Sequence, residues 1–172
     1  MTETKSNLMN EIKVAKITLN IGSGKEESRL KKALKLLQKL APNNPVKTTA
    51  KKRIPGWGLR PGLPIGCKVT IRKDCDELIK RLFAAKENTL PRKKFDSQGN
   101  FSFGIPEYIE ITGLEYDPEL KIMGLEVAVT LERPGFRIKK RRNKQQKIGK
   151  NQLISQEDAI NFVQQKFNVQ VN

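Results

Sequence analysis

The residue types that most often do chemistry are scarce in this chain. It contains no histidine. A Ser-His-Asp or Cys-His nucleophile therefore cannot be assembled, and zinc and haem lose their usual ligand. Cys67 and Cys75 are the only two cysteines. Their spacing suits neither a metal site nor a disulfide framework, so they read as core thiols of a reduced, cytoplasmic protein. Asp74, Asp76 and Glu77 fall where a helix begins and read as its start, not as an acid–base pair. Gly22-Ser23-Gly24-Lys25 follows a strand pattern and precedes a helix pattern, which invites comparison with a phosphate loop. In the pattern G-x-x-x-x-G-K-[ST], however, the first position is occupied by Leu19 and the last by Glu26, so both ends fail. Two readings of the turn stay open: contact with an RNA phosphate at the helix start, or a simple strand-to-helix turn. No catalytic residue, metal ligand or cofactor is expected, and the chain does not read as an enzyme.

The chemistry the chain does carry is positive charge. Its 172 residues (19.5 kDa) hold 34 Lys plus Arg against 18 Asp plus Glu, a net charge of +16. The charge is unevenly spread: residues 1–60 are net +10, residues 61–136 net −1 and residues 137–172 net +7. A near-neutral middle between basic ends predicts one polyanion-binding surface built from separated segments, with phosphate-rich partners the default. Arg137, Lys139, Lys140, Arg141, Arg142, Lys144, Lys147 and Lys150 stand within fourteen residues without an acid. Such a run could be a solvated loop, a nuclear-targeting signal or an RNA anchor; because it repels itself unless a polyanion neutralises it, the RNA anchor is favoured. The single tryptophan, Trp57, lies in a Gly/Pro-rich stretch beside Lys51, Lys52, Arg53 and Arg60. It either stacks on an RNA base or ribose, or anchors the stretch to its own domain.

These residues need elements to position them. Ile12, Val14, Ile17, Leu19 and Ile21 predict a strand whose phase slips between Val14 and Ile17. Leu30 to Leu40 carries the spacing of an amphipathic helix beginning near Glu26, stopped by Ala41-Pro42-Asn43-Asn44-Pro45. Residues 46–50 and 66–72 predict a hairpin joined by a long basic loop. A helix follows, capped by Asp74 with Glu77 in a capping box. Residues 91–104 read as irregular, with a turn at Asp96 to Asn100. Tyr108 to Ile111 and Leu125 to Leu131 read as strands, and a last helix is capped by Ser155 with Asp158. Met1 to Glu11 lacks the apolar core of a secretory signal, and no run reaches the roughly 20 apolar residues of a membrane span. The order predicts an α+β fold in a single domain over residues 1–172: an antiparallel sheet with helices on one face and the other face free for a ligand.

Several segments together resemble a known family. Lys16-Ile17-Thr18-Leu19-Asn20-Ile21-Gly22-Ser23-Gly24 is similar to the first-strand signature of the ribosomal large-subunit protein five family, which binds 5S ribosomal RNA. Thr48-Thr49-Ala50-Lys51-Lys52, Gly56-Trp57-Gly58-Leu59-Arg60 and Pro64 to Arg72 resemble its next two strands and their loop. Asn100 to Ile105 and Val129 to Gly135 resemble its later signatures. The extended basic segment after Pro134-Gly135 and the final helix look like the archaeal and eukaryotic branch. The resemblance implies a structural constituent of the large subunit's central protuberance, without enzymatic activity. It implies that Lys16, Asn20, Gly22, Asn43, Thr70 and Arg72 hold 5S RNA, and that the loop from Lys51 to Ile65 reaches transfer RNA in the peptidyl site. Trp57 stands where many members have phenylalanine. Further partners implied are 23S-type ribosomal RNA, neighbouring large-subunit proteins and a head protein of the small subunit. The competing reading is a general RNA binder or chaperone, without preference among folded RNAs.

Overall fold

The alternating residues near the start become the centre of a five-stranded sheet. The computed structural model describes residues 7–172, so the first six positions of the segment Met1 to Glu11 lie outside the described residues. Strand β1 (Lys13–Gly22) turns Ile17, Leu19 and Ile21 to one side, where all three are buried. It pairs antiparallel with β3 (Pro64–Ile71) on one edge and β6 (Leu125–Glu132) on the other. Beyond these lie β2 (Val46–Thr49) and β5 (Phe101–Ile105), giving the order β2-β3-β1-β6-β5. The phase slip in the first strand is real: the β1–β6 register shifts between Val14 and Lys16, as a bulge requires.

Among the described residues, helices pack on one face of the sheet. Helix α1 (Glu27–Leu40) buries Leu30, Ala33, Leu36, Leu37 and Leu40, and α2 (Cys75–Ala84) buries Leu78, Ile79, Leu82 and Phe83. They meet Cys67, Val69 and Ile71 of β3 and the inward residues of β6 in one core. Phe83 stacks on Phe101 and Phe103 at centroid distances of 5.9 and 5.3 Å. A short helix α3 (Arg137–Lys140) buries nothing, whereas α4 (Gln156–Phe167) returns to the core and brings Phe167 to 5.6 Å from Phe83. A parallel pair, β4 (Thr89–Leu90) with β7 (Gln170–Val171), ties the residues after α4 to those after α2.

Three local expectations are corrected. Residues 101–105 are a strand, because Phe101, Phe103 and Ile105 alternate into the core on the edge of β6. Tyr108 to Ile111 is not a strand: residues Tyr108–Glu110 form a 3-10 turn. That turn puts Tyr108 and Ile111, three apart, both in the core and leaves Ile109 outside. Asp74 sits before α2 in the left-handed conformation (φ 52°) and its side chain caps nothing, so the expected capping box is absent there. At Ser155 the box is present: Ser155 Oγ accepts from the Asp158 N–H and Asp158 Oδ2 accepts from the Ser155 N–H.

Candidate nucleic-acid interface

Because strand side chains alternate, burying Ile17, Leu19 and Ile21 forces Lys16, Thr18 and Asn20 onto the opposite face of the sheet. Among the described residues no helix covers that face along its centre; its central positions are exposed or half-buried. Cross-strand register fixes who shares it. Thr70, Thr18, Ala128 and Ser102 form one row, and Val46, Lys68, Asn20, Glu126 and Gly104 the next. Lys16 pairs with Thr130 toward one end, and Gly22 pairs with Gly66 at the other. A Cβ at Gly66 would lie 2.7 Å from the Ile21 carbonyl oxygen, so the close approach of β1 and β3 there requires glycine. Arg72 follows the last β1–β3 pair, Ile17 with Ile71, on the same alternation as Lys68 and Thr70. Lys16, Asn20, Gly22, Thr70 and Arg72 thus lie along one strip of two neighbouring strands.

Asn43 differs from these. It lies in the connection after α1, and its Nδ2 donates to the Thr70 carbonyl oxygen at 2.8 Å. Strand β2 pairs with β3 only as far as Lys68, so the edge of β3 is bare at Thr70 and the Asn43 amide covers it. The structure therefore brings Asn43 beside Thr70 as an edge cap. On the strip itself, Asn20 Nδ2 donates to Glu126 Oε2 at 3.2 Å. Sequence reasoning did not single out Glu126 or Lys68. Only the register, which sets them on either side of Asn20, could have found them.

The turn Gly22-Ser23-Gly24-Lys25 leads β1 into α1 and is tied to the backbone of β3. The Ser23 and Gly24 N–H groups both donate to the Ile65 carbonyl, at 2.9 and 3.1 Å, so these amides are engaged within the protein. It is a strand-to-helix turn stitched to the start of β3. The connection 50–63 between β2 and β3 is internally tied: Ile54 and Leu59 bridge to each other around a 3-10 turn at Pro55–Trp57. Leu59 is buried at 6 % exposure, while Trp57 is 69 % exposed. Lys51, Lys52, Arg53 and Arg60 are exposed around it.

The second basic segment is an excursion pinned at its base. The Arg133 guanidinium donates to the carbonyls of Asn151 and Leu153 and pairs with Asp158 at 3.1 Å. Gln152 Nε2 donates to the carbonyls of Met9 and Pro134. Between these pins Arg137, Lys139, Lys140, Arg141, Arg142, Lys144 and Lys147 are all exposed. Among the described residues, Lys140 is the only base of this run in an ion pair, with Glu132. Lys140 and Phe136 border the same hollow as Lys16 and Thr130, so the excursion leaves beside the open face. The two basic segments consequently stand at opposite ends of β1, which at ten residues is about 30 Å long.

Acids gather elsewhere. Glu107, Glu110, Glu115, Asp117 and Glu119 occupy the connection between β5 and β6 without an intervening base. Lys35 and Lys39 of α1 pair with Glu119 and Asp117 at 2.8 and 2.7 Å. The Lys39 ammonium holds the Asp117 carboxyl below the usual carboxylate range. Tyr116 and Ile122 are exposed beside these acids. The two cysteines are buried and free, and burial pushes the Cys67 thiol up to about 11. Thiols held protonated in this way are poor nucleophiles.

Both halves of the chain match known proteins. A family model described as ribosomal protein L5 matches residues 7–60, and a second, describing the C-terminus of the same ribosomal family, matches residues 64–167. The large ribosomal subunit protein uL5 of Nanoarchaeum equitans is 46% identical over 165 residues, covering 95% of this chain and 97% of that protein. The uL5 protein of Sulfurisphaera tokodaii is 45% identical over 174 residues, covering 99% of this chain and 98% of its own length. That of Methanosphaera stadtmanae is 39% identical over 166 residues, covering 96% and 99%.

Proposed function

Because the chain belongs to the ribosomal protein L5 family, we propose that it holds 5S ribosomal RNA against the uncovered face of its sheet. It is a ribosomal protein of the large subunit, a structural constituent and not an enzyme. The observation that carries the proposal is the bare face of β1 and β3, with Lys16, Asn20, Gly22, Thr70 and Arg72 in one strip. Short polar side chains there supply fit to a folded RNA, and the basic segments at the two ends supply affinity through phosphate neutralisation. Asn43 contributes by fixing the edge at Thr70 and presenting its remaining amide oxygen beside it.

The remaining surfaces divide by chemistry. The connection 50–63 carries Lys51, Lys52, Arg53 and Arg60 around an exposed Trp57, a combination suited to the backbone and bases of transfer RNA in the peptidyl site. Trp57→Ala is expected to leave 5S binding intact and to disturb transfer-RNA placement on assembled ribosomes. A loss of 5S binding would move Trp57 into the sheet-face site. The excursion 137–150 suits 23S-type ribosomal RNA. The acidic connection between β5 and β6 repels RNA and suits a basic protein, which makes it the surface for a neighbouring large-subunit protein or the small-subunit head protein.

The test is binding to purified 5S RNA beside a folded RNA of equal length, across a salt series. Preference for 5S that persists at high salt supports the proposal. Equal affinities that collapse together with salt would replace it with a general polyanion binder.

A further inference from the structure

The centre of the open face carries a charge of the wrong sign for a phosphate binder. Glu126 is exposed in the row Lys68–Asn20–Glu126–Gly104. The other acid on this face, Glu132, is at its end and is held by Lys140. Glu126 is held instead by a neutral group, the Asn20 amide at 3.2 Å, which orients the carboxylate and leaves its charge uncancelled. A carboxylate repels phosphates and can only accept hydrogen bonds. The groups of RNA that can satisfy it are base amino and imino groups and ribose 2′-hydroxyls.

The surroundings of Glu126 are flat. Its cross-strand partner is Gly104, over which a Cβ would meet nothing within 4 Å. Ala128 and Ser102 face each other in the adjoining row. Glycine inside a strand weakens it and leaves room for a ligand or another backbone to approach closely. A shelf of this kind beside a fixed acceptor fits the wide, shallow minor groove of A-form RNA, which displays 2′-hydroxyls and base edges.

We propose that Glu126 is a specificity-determining residue of this face, accepting hydrogen bonds from the guanine amino group and adjacent 2′-hydroxyls of an RNA minor groove docked over Gly104 and Ala128. The proposal rests on the reading of the open face as the 5S site. In it, Lys68 neutralises a flanking phosphate on one side of Asn20, and Glu126 reads donors on the other. Glu126 also penalises RNA that presents phosphates to the shelf, so part of its contribution is rejection of wrong partners.

The full chain and its Glu126→Ala and Glu126→Gln variants are titrated with purified 5S RNA and with a folded control RNA of equal length. The expected result for Glu126→Ala is roughly a tenfold or greater loss of 5S affinity, the range expected when a hydrogen bond to a base edge is removed. Control binding should be unchanged or tighter. Glu126→Gln keeps one acceptor oxygen and should lose less. Tightening of both RNAs by the same factor would overturn the proposal, since Glu126 would then only repel polyanions. Unchanged preference in both variants would overturn it as well. If the unsubstituted chain shows no preference for 5S, the reading of the face falls and the proposal with it. Preference retained by both variants removes the proposal alone.

Discussion

Asn20 and Asn43 carry the same amide, but their surroundings assign them different work. Asn20 sits on the strip and bonds an exposed carboxylate, so little of the fold depends on it. Asn43 covers a bare strand carbonyl, and removing it leaves that oxygen to water. Asn20→Ala is therefore expected to weaken 5S binding at an unchanged melting temperature; unaltered affinity would remove Asn20 from the site. Asn43→Ala should lower both, with about 1 kcal/mol of stability lost along with its hydrogen bond. Chemical denaturation beside RNA titration separates the two. Cys67 gives a prediction in pH. Its thiol is pushed up to about 11 from 9.0 by burial, so the unfolded chain loses this proton first as pH rises. The folded state then binds more protons, and stability contributed by the protonated thiol falls between those two values. Cys67→Ala should flatten that part of the stability–pH curve. An unchanged slope would show that the folded thiol titrates normally.

At the scale of elements, the two predicted capping boxes part ways. Ser155 makes its box with Asp158, and Ser155→Ala should cost about 1 kcal/mol in thermal or denaturant unfolding. Asp74 caps nothing and holds a positive φ, so Asp74→Gly should be neutral or stabilising by up to about 1 kcal/mol. A loss as large as that for Ser155→Ala would mean that the aspartate side chain caps α2 after all. Both sites read S/D-x-x-D/E in the sequence; the difference is a backbone dihedral that spacing does not encode. The same limit explains the strands. β3 and β6 alternate cleanly, as does β1 beyond its bulge, and their apolar positions were legible as the inner face of a sheet. β5 also alternates, but Gly104 and the polar residues around it obscured the pattern. Tyr108 to Ile111 read as a strand because a short apolar run has no visible period, and one turn of 3-10 helix buries its ends equally well.

Over the whole molecule, charge is arranged at two ends of one sheet instead of in one patch. The excursion 137–150 is pinned at its base by Arg133 and Gln152 and buries none of its basic side chains. Replacing residues 137–147 with a short Gly-Ser linker should therefore leave the cooperative unfolding transition in place. RNA affinity should fall less steeply with salt, by roughly one unit of log–log slope for each phosphate that is no longer neutralised. An unchanged slope would show that this run does not touch the RNA. A collapse of folding would show that the excursion supports the core.

The sequence by itself determined the class of partner, the absence of any histidine-activated nucleophile, and most of the elements, because these follow from residue type and local periodicity. Through a resemblance to a family it also singled out Lys16, Asn20, Gly22, Asn43, Thr70 and Arg72 as the residues proposed to meet RNA. Tertiary structure alone decided that the Ser23 and Gly24 amides are engaged, that Asn43 closes the edge at Thr70, and that Glu126 stands beside Asn20 on a bare shelf. Each of these depends on which strands become neighbours and in what register. Register is fixed by burying the whole set of apolar side chains at once, a condition that no single segment of the chain contains.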